Sequence, residues 1–196
     1  LSAAVCFPGQ ATNALLACAC LSNVALAAEN APATESSLLK NGQFEELNGR
    51  GGAANWINKQ HAGVRAYRFE VVEDQAHGGK RSLMLRRMTK QVWGKTEQLL
   101  PVTPDLIGKT VEFEVWVRSD KVGKKGFLIW LGASARSLLL QHVKSDRIGG
   151  DSDWTRHALR LDIPEYTTQL VVAVTLEDEG TIWIDDAKLT VVDPAD

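Results

Sequence analysis

Asp185 and Asp186 stand side by side in GTIWIDDAKL, residues 180–189, and two adjacent carboxylates inside a strand call for a cation. A two-residue repeat places Thr181, Trp183, Asp185, Ala187 and Leu189 on one face and Ile182, Ile184, Asp186 and Lys188 on the other. The face of Trp183 and Leu189 reads as a core face, so one aspartate points where they point. A carboxylate there is costly unless it is paired, hydrogen-bonded or metal-bound, and the strand has no Arg or Lys on that side. Ligation by oxygen alone points to calcium.

A second chemistry is carried by tryptophan. In residues 111–118, Val111, Phe113, Val115 and Val117 form an unbroken apolar face, which leaves Glu112, Glu114, Trp116 and Arg118 on the other. A sugar ring presents an apolar C–H face and a rim of hydroxyls. A site for it needs an aromatic plane flanked by planar polar groups. Trp116 between Glu114 and Arg118 meets that description; its alternative role is to cover the sheet or pack under a loop. Trp130 alternates with Ile129 and Leu131 and faces away from them, and Trp93 sits in a rim loop or strand start at 90–95. Arg86, Gln141 and His142 are polar partners on neighbouring strands.

Catalysis has weaker support. Sandwich glycosidases set carboxylates on alternate positions of one strand, an E-x-D-x-x-E arrangement that this chain lacks. Glu177-Asp178-Glu179 reads as a solvated hairpin tip. The four histidines, His61, His77, His142 and His157, are far apart in sequence, and Gly-x-Ser-x-Gly does not occur. A lyase built on His142, Arg118 and Tyr67 is the catalytic alternative.

The elements that must position these residues are short runs rich in Val, Leu, Ile, Phe and Trp separated by turn residues, the pattern of an antiparallel β-sandwich. Strands are predicted at 65–73, 82–88, 91–102, 110–118, 126–133, 137–144, 155–162, 169–176 and 181–192, with one helical turn at 104–107. A net charge of −2 with scattered Lys and Arg argues against nucleic acid as a partner, since phosphate binding needs a concentrated basic surface.

The first residues form a different segment. Residues 14–28 are small and apolar and end in Ala25-Leu26-Ala27, the shape of a secretory segment with an A-x-A cleavage site. The run falls short of the ~20 apolar residues of a membrane span. No basic residue precedes Lys40 and the chain begins with Leu1, so we expect a sequence truncated at its start. Leu15-Leu16-Ala17-Cys18 resembles a lipobox, which makes a lipid anchor at Cys18 the alternative to simple secretion or periplasmic export. All three cysteines, Cys6, Cys18 and Cys20, lie in this segment, leaving the remainder without disulfides. Residues 29–37 read as a flexible spacer and 38–193 as one domain.

Five stretches in that domain follow one another as in a known group: LLKNGQFEE (38–46), AHGGKRSLML (76–85), GKTVEFEVWVRSD (108–120), DWTRHALRLDIPE (153–165) and GTIWIDDAKL (180–189). In order and spacing they resemble the family 4/9/22 type of carbohydrate-binding module, galactose-binding-domain-like jelly rolls appended to bacterial glycoside hydrolases. The resemblance implies an all-β antiparallel sandwich, a glycan ligand and no catalysis of its own. It also implies a structural calcium held by the carbonyls of Gln43 and Gly79 and the carboxylate of Asp185, with Glu45 as a further carboxylate; Gly78 is an equally good register for Gly79. Trp56 and Trp154 match positions that pack loops and strand starts in that family. The ligand set read from the residues themselves is Trp116, Trp93 and Trp130 with Arg118, Glu114 and Gln141. The departures lie at 121–126 and 145–152, loops that shape the ligand groove. A protein-interaction or adhesion sandwich is the competing function, and the oligomeric state is left open.

Overall fold

The computed structural model describes residues 36–193. The segment expected to direct secretion, Cys18 and most of the expected spacer lie outside the described residues. Ser37, at the spacer's end, is already part of the domain: its hydroxyl oxygen accepts the Leu189 amide at 3.1 Å, and Leu38 donates to the Leu189 carbonyl at 2.8 Å.

Among the described residues the chain forms β1 (Ile57–Gln60), β2 (Tyr67–Val72), β3 (Ser82–Arg87), β4 (Gly94–Pro101), β5 (Thr110–Ala135), β6 (Leu138–Lys144), β7 (Ile148–Asp162), β8 (Gln169–Leu176) and β9 (Thr181–Val192), with a 3-10 turn at Pro104–Leu106. The turn stands where the prolyl φ favours one. All pairings are antiparallel. The fold is the expected all-β jelly-roll sandwich.

β5 runs through both layers. Its first half pairs with β9 on one side and β7 on the other. Its second half pairs with β8 and β6. One layer is therefore β2-β3-β9-β5-β7 and the other β1-β4-β8-β5-β6. Between the halves, Ser119, Val122 and Phe127 keep contact with β7 across successive register shifts, and Lys121 and Gly126 take positive φ. Bulges of this kind bend a strand sharply enough to change layers. Two predicted strands are thus one, and β7 begins at Ile148 and not at 155, because a glycine-rich stretch pairs with the bent part of β5.

The core lies between the layers. Val111, Phe113, Val115 and Val117 are 0% exposed, as their alternation requires, and meet Phe127, Ile129, Leu131, Val172 and Val174 from the other layer. Trp56 seals one end, donating to the Asn41 carbonyl at 2.9 Å beside Phe44.

The parity of β9 departs from a simple alternation. Trp116 pairs with Asp185 but Glu114 pairs with Lys188, so β9 carries one extra residue, and Asp186 takes φ 45° to accommodate it. Before the bulge Ile182 and Ile184 face the core; after it Ala187 and Leu189 do. Trp183 therefore lies on the outer face, half-buried, with the Arg118 guanidinium 5.8 Å from its ring centre. This corrects the core placement expected for it and for Asp185, which pairs with Trp116 and shares that outer face.

The amino-terminal segment is locked across β9. Ala187 donates to the Gly42 carbonyl at 2.9 Å, and a methyl at Gly42 would overlap the Ala187 carbonyl. Gly42→Ala should cost ~2 kcal/mol or more, as overpacking against backbone does. The urea midpoint measures it, and an unchanged midpoint would contradict this packing.

Candidate functional site

The six expected ligand residues do not form one site. Trp116, Glu114 and Arg118 lie on the outer face of the β9 layer, whereas Trp93 and Trp130 lie on the outer face of the β8 layer. The bend in β5 carries Trp116 and Trp130 into different layers, so the aromatic candidates do not lie together on one sheet or its rim.

On the β9 layer each side chain has an internal partner. His77 stacks on Trp116 with ring centres 4.0 Å apart and planes 17° apart, and Trp154 meets His77 edge-on at 5.6 Å. Glu114 binds Arg156 at 2.5 Å. Arg118 donates to the Gln75 side chain and covers Trp183. His77 is held in turn, its Nδ1 2.6 Å from Asp186 Oδ2. The bulge aims the two aspartates at the loop carrying His77.

Asp185 is 0% exposed under that loop. Its Oδ2 accepts the amides of His77 at 2.9 Å and Gly78 at 3.1 Å, and its Oδ1 accepts the Asp186 amide at 2.7 Å. Burial pushes its carboxyl up to about 6, against the lowering influence of those three amides. Glu45 grips the other half of the same loop, its Oε1 accepting Lys80 at 2.5 Å and Arg81 at 3.0 Å. Between the two grips Gly79 takes φ 62°, and a side chain there would overlap Glu45 Oε1. Much of the stabilisation expected from a cation thus comes from amides. Among the described residues no three His, Cys, Asp or Glu side chains gather as metal ligands. Asp185 and Glu45 grip the two halves of this one loop through their carboxylates, and Gln43 lies two residues before Glu45.

The β8 layer presents a shallow groove of about 340 Å³ lined by Trp93, Lys95, Leu128, Trp130, His142, Lys144, Ala173, Thr175 and Glu177. Its floor is flat because Ala173 stands between larger neighbours as the partner of Trp130 across β5 and β8. Trp130 lies down on it. A Cβ at Gly132, two residues on and on the same face, would overlap the outer carbons of the Trp130 ring. The indole therefore lies along the strand over Gly132 with its other face outward. His142, opposite Gly132 on β6, lies near-parallel beside it at 6.0 Å and 26°.

Gln141 pairs with Ala133 and so points to the side opposite Trp130, which corrects its placement with the platforms. Gly132, Lys95 and Lys144 went unnoticed in the sequence. The spacing Trp-x-Gly on one strand face was the available signal, since a missing side chain two residues on leaves room for an indole to lie flat. Gly132→Val should tilt Trp130 off the sheet while leaving the core intact. A shift in tryptophan fluorescence with a thermal midpoint near that of the parent checks this, and an unchanged spectrum would argue against the flat ring.

Glu97 sits beside the groove on β4, 3% exposed, with Lys59 and Lys95 each at 2.5 Å. Burial pushes its carboxyl up, and the two ammonium groups outweigh that and hold it below the usual range. At the groove's end Glu177 is bound by Arg147 at 2.7 Å. Beyond it lies a cleft of about 1070 Å³ between residues 87–92 and 177–179, walled by the Arg87–Asp178 pair at 3.1 Å.

No protein-family model matches this sequence, and no curated protein matches it. Solved structures match the fold. The enzymatically active domain of tailspike protein 4 from bacteriophage CBA120 superimposes with a TM-score of 0.62 at 15% identity, over 80% of this chain and 21% of that one. The chain thus spans about a fifth of the tailspike chain. A family 61 carbohydrate-binding module, TmCBM61, solved with β-1,4-galactotriose, gives 0.56 at 19% identity over 81% of this chain and 100% of that one. A cyclase from Fischerella sp. TAU gives 0.58 at 13% identity over 82% and 99%. Modules of families 4, 16 and 22 match in the same way. The chain has the jelly-roll sandwich fold of these carbohydrate-binding modules.

Proposed function

We propose that this domain binds carbohydrate without catalysing its breakdown, the sugar ring lying on Trp130 and a neighbouring unit reaching Trp93. The flat indole over Gly132 carries this reading. A ring pressed onto a strand has little conformational freedom to lose on stacking, and its outward face matches the C–H face of a pyranose. The likeness to glycan-binding modules supports it. Tailspike and cyclase domains share the fold, so turnover must be measured beside binding. The test is retention of the full chain in gels containing soluble glucan, xylan, mannan or galactan, with reducing ends assayed on the same polysaccharides. Retention without new reducing ends is expected. Retention on none would favour a protein partner, and release of new ends would make it an enzyme.

We also propose a structural calcium on the loop at 77–81, held by the carboxylates of Asp185 and Glu45 and the carbonyls of Gln43 and Gly79. Such an ion would tie the amino-terminal segment to β9 and stabilise the fold by mass action.

A further inference from the structure

We propose that the Trp93–Trp130 groove takes an anionic saccharide, a pyranose chain carrying carboxylate or sulfate groups. The inference rests on the glycan reading above and adds the class of sugar. Along the strands of this face Glu97 is the carboxylate beside the groove, and it is 3% exposed and enclosed by Lys59 and Lys95. Glu177 at the end is held by Arg147. Lys144 is exposed, stands opposite Trp130 across β5 and β6, and has no ion-pair partner among the described residues. Three lysines against Glu97 leave an excess of two positive charges on this face, although the whole chain carries −2.

The consequence is a groove with donors and few free acceptors. Neutral sugar hydroxyls both donate and accept, and a site for them supplies carboxylates or amides as acceptors. Here the carboxylates are already engaged, Lys95 with Glu97 among them, and the free polar groups are the Lys144 ammonium, the Thr175 hydroxyl and the His142 ring. An anionic substituent offers the acceptors that those lysines lack, while its ring still stacks on Trp130. Charge on this face adds to stacking and is weakened by salt.

Calorimetry on the full chain with matched tetrasaccharides tests the proposal: β-1,4-mannotetraose against β-1,4-tetramannuronate, cellotetraose against its 6-carboxylate form, and β-1,4-galactotetraose against a sulfated one. The anionic member of at least one pair should bind about five- to tenfold tighter at low salt, the advantage shrinking as sodium chloride is raised. The carboxylate and sulfate pairs tell which group supplies the charge. Lys144→Gln should weaken the anionic ligand about threefold and the neutral one by less, so that the anionic advantage shrinks. Neutral ligands bound as tightly as anionic ones would overturn the sugar class and leave the glycan reading standing. Binding in no pair would overturn both, as would tighter binding of an oligothymidylate, which would make the face a nucleic-acid surface.

Discussion

In a chelator, the domain's stability should fall by ~2 kcal/mol through Asp185 as pH rises from 4 to 7, because its carboxyl titrates at about 6 in the folded protein against 3.8 ordinarily. The sign follows from proton counting. Between those values the folded chain holds a proton that the unfolded chain has lost, so stability is fully present below about 4 and lost as pH passes 6. Other carboxylates act oppositely: Asp178, held low by the amides of Lys125 and Glu179, loses stability only in stronger acid. Asp185→Asn isolates the effect, since its side-chain oxygen can still accept His77 and Gly78 while nothing titrates. The difference in urea-derived stability between parent and variant should therefore carry the pH dependence. Calcium reverses the picture, because it binds the ionised carboxylate and its stabilising increment should grow as pH rises. A thermal midpoint indifferent to calcium and to EGTA at pH 7.5 would end the calcium proposal. A parent-minus-variant difference flat in pH would end the burial account of Asp185.

Trp130→Ala should weaken glycan binding by ~2 kcal/mol or more, about thirtyfold, as loss of an aromatic anchor does. Its own stability should fall by under ~1 kcal/mol, since the ring lies outside the core. Trp93→Ala should show a smaller loss of the same kind. Trp116→Ala should do the reverse. Its ring is covered by His77 at 4.0 Å, and His77 is bound to both aspartates, so removing the indole should loosen the loop at 77–81 and lower stability by ~2 kcal/mol. Gel retention and thermal midpoints of the three variants separate these roles. Undiminished retention by Trp130→Ala would remove it from the site. A stable Trp116→Ala that no longer binds glycan would move the site to the opposite layer.

What could be read from the sequence follows from local rules. β8 and β9 have the bounds that their apolar runs and flanking turns imply. The alternation at 111–117 turned those four side chains inward and Trp116 outward, because the pleat permits no other arrangement. β1 escaped notice because INKQ has no apolar alternation and pairs with β4 as an exposed edge. β7 was read short because Gly149 and Gly150 look like punctuation when their pairing with the bent part of β5 is not in view.

The sequence by itself determined the sandwich and its core, which are matters of period, and the need of a buried Asp185 for compensation, a matter of desolvation cost. The core face that the period gave Asp185 is corrected, since it shares the outer face of Trp183 and is buried there by the loop at 77–81. Only the tertiary structure decided how that need is met, by amides from a loop more than a hundred residues away. It also decided which tryptophans face a ligand. A bulge at Asp186 and a bend in β5 are displacements of single residues, yet each reverses or transfers every side chain beyond it. They turned Trp183 outward, placed Trp116 under His77, and left Trp130 lying on Gly132 in the other layer.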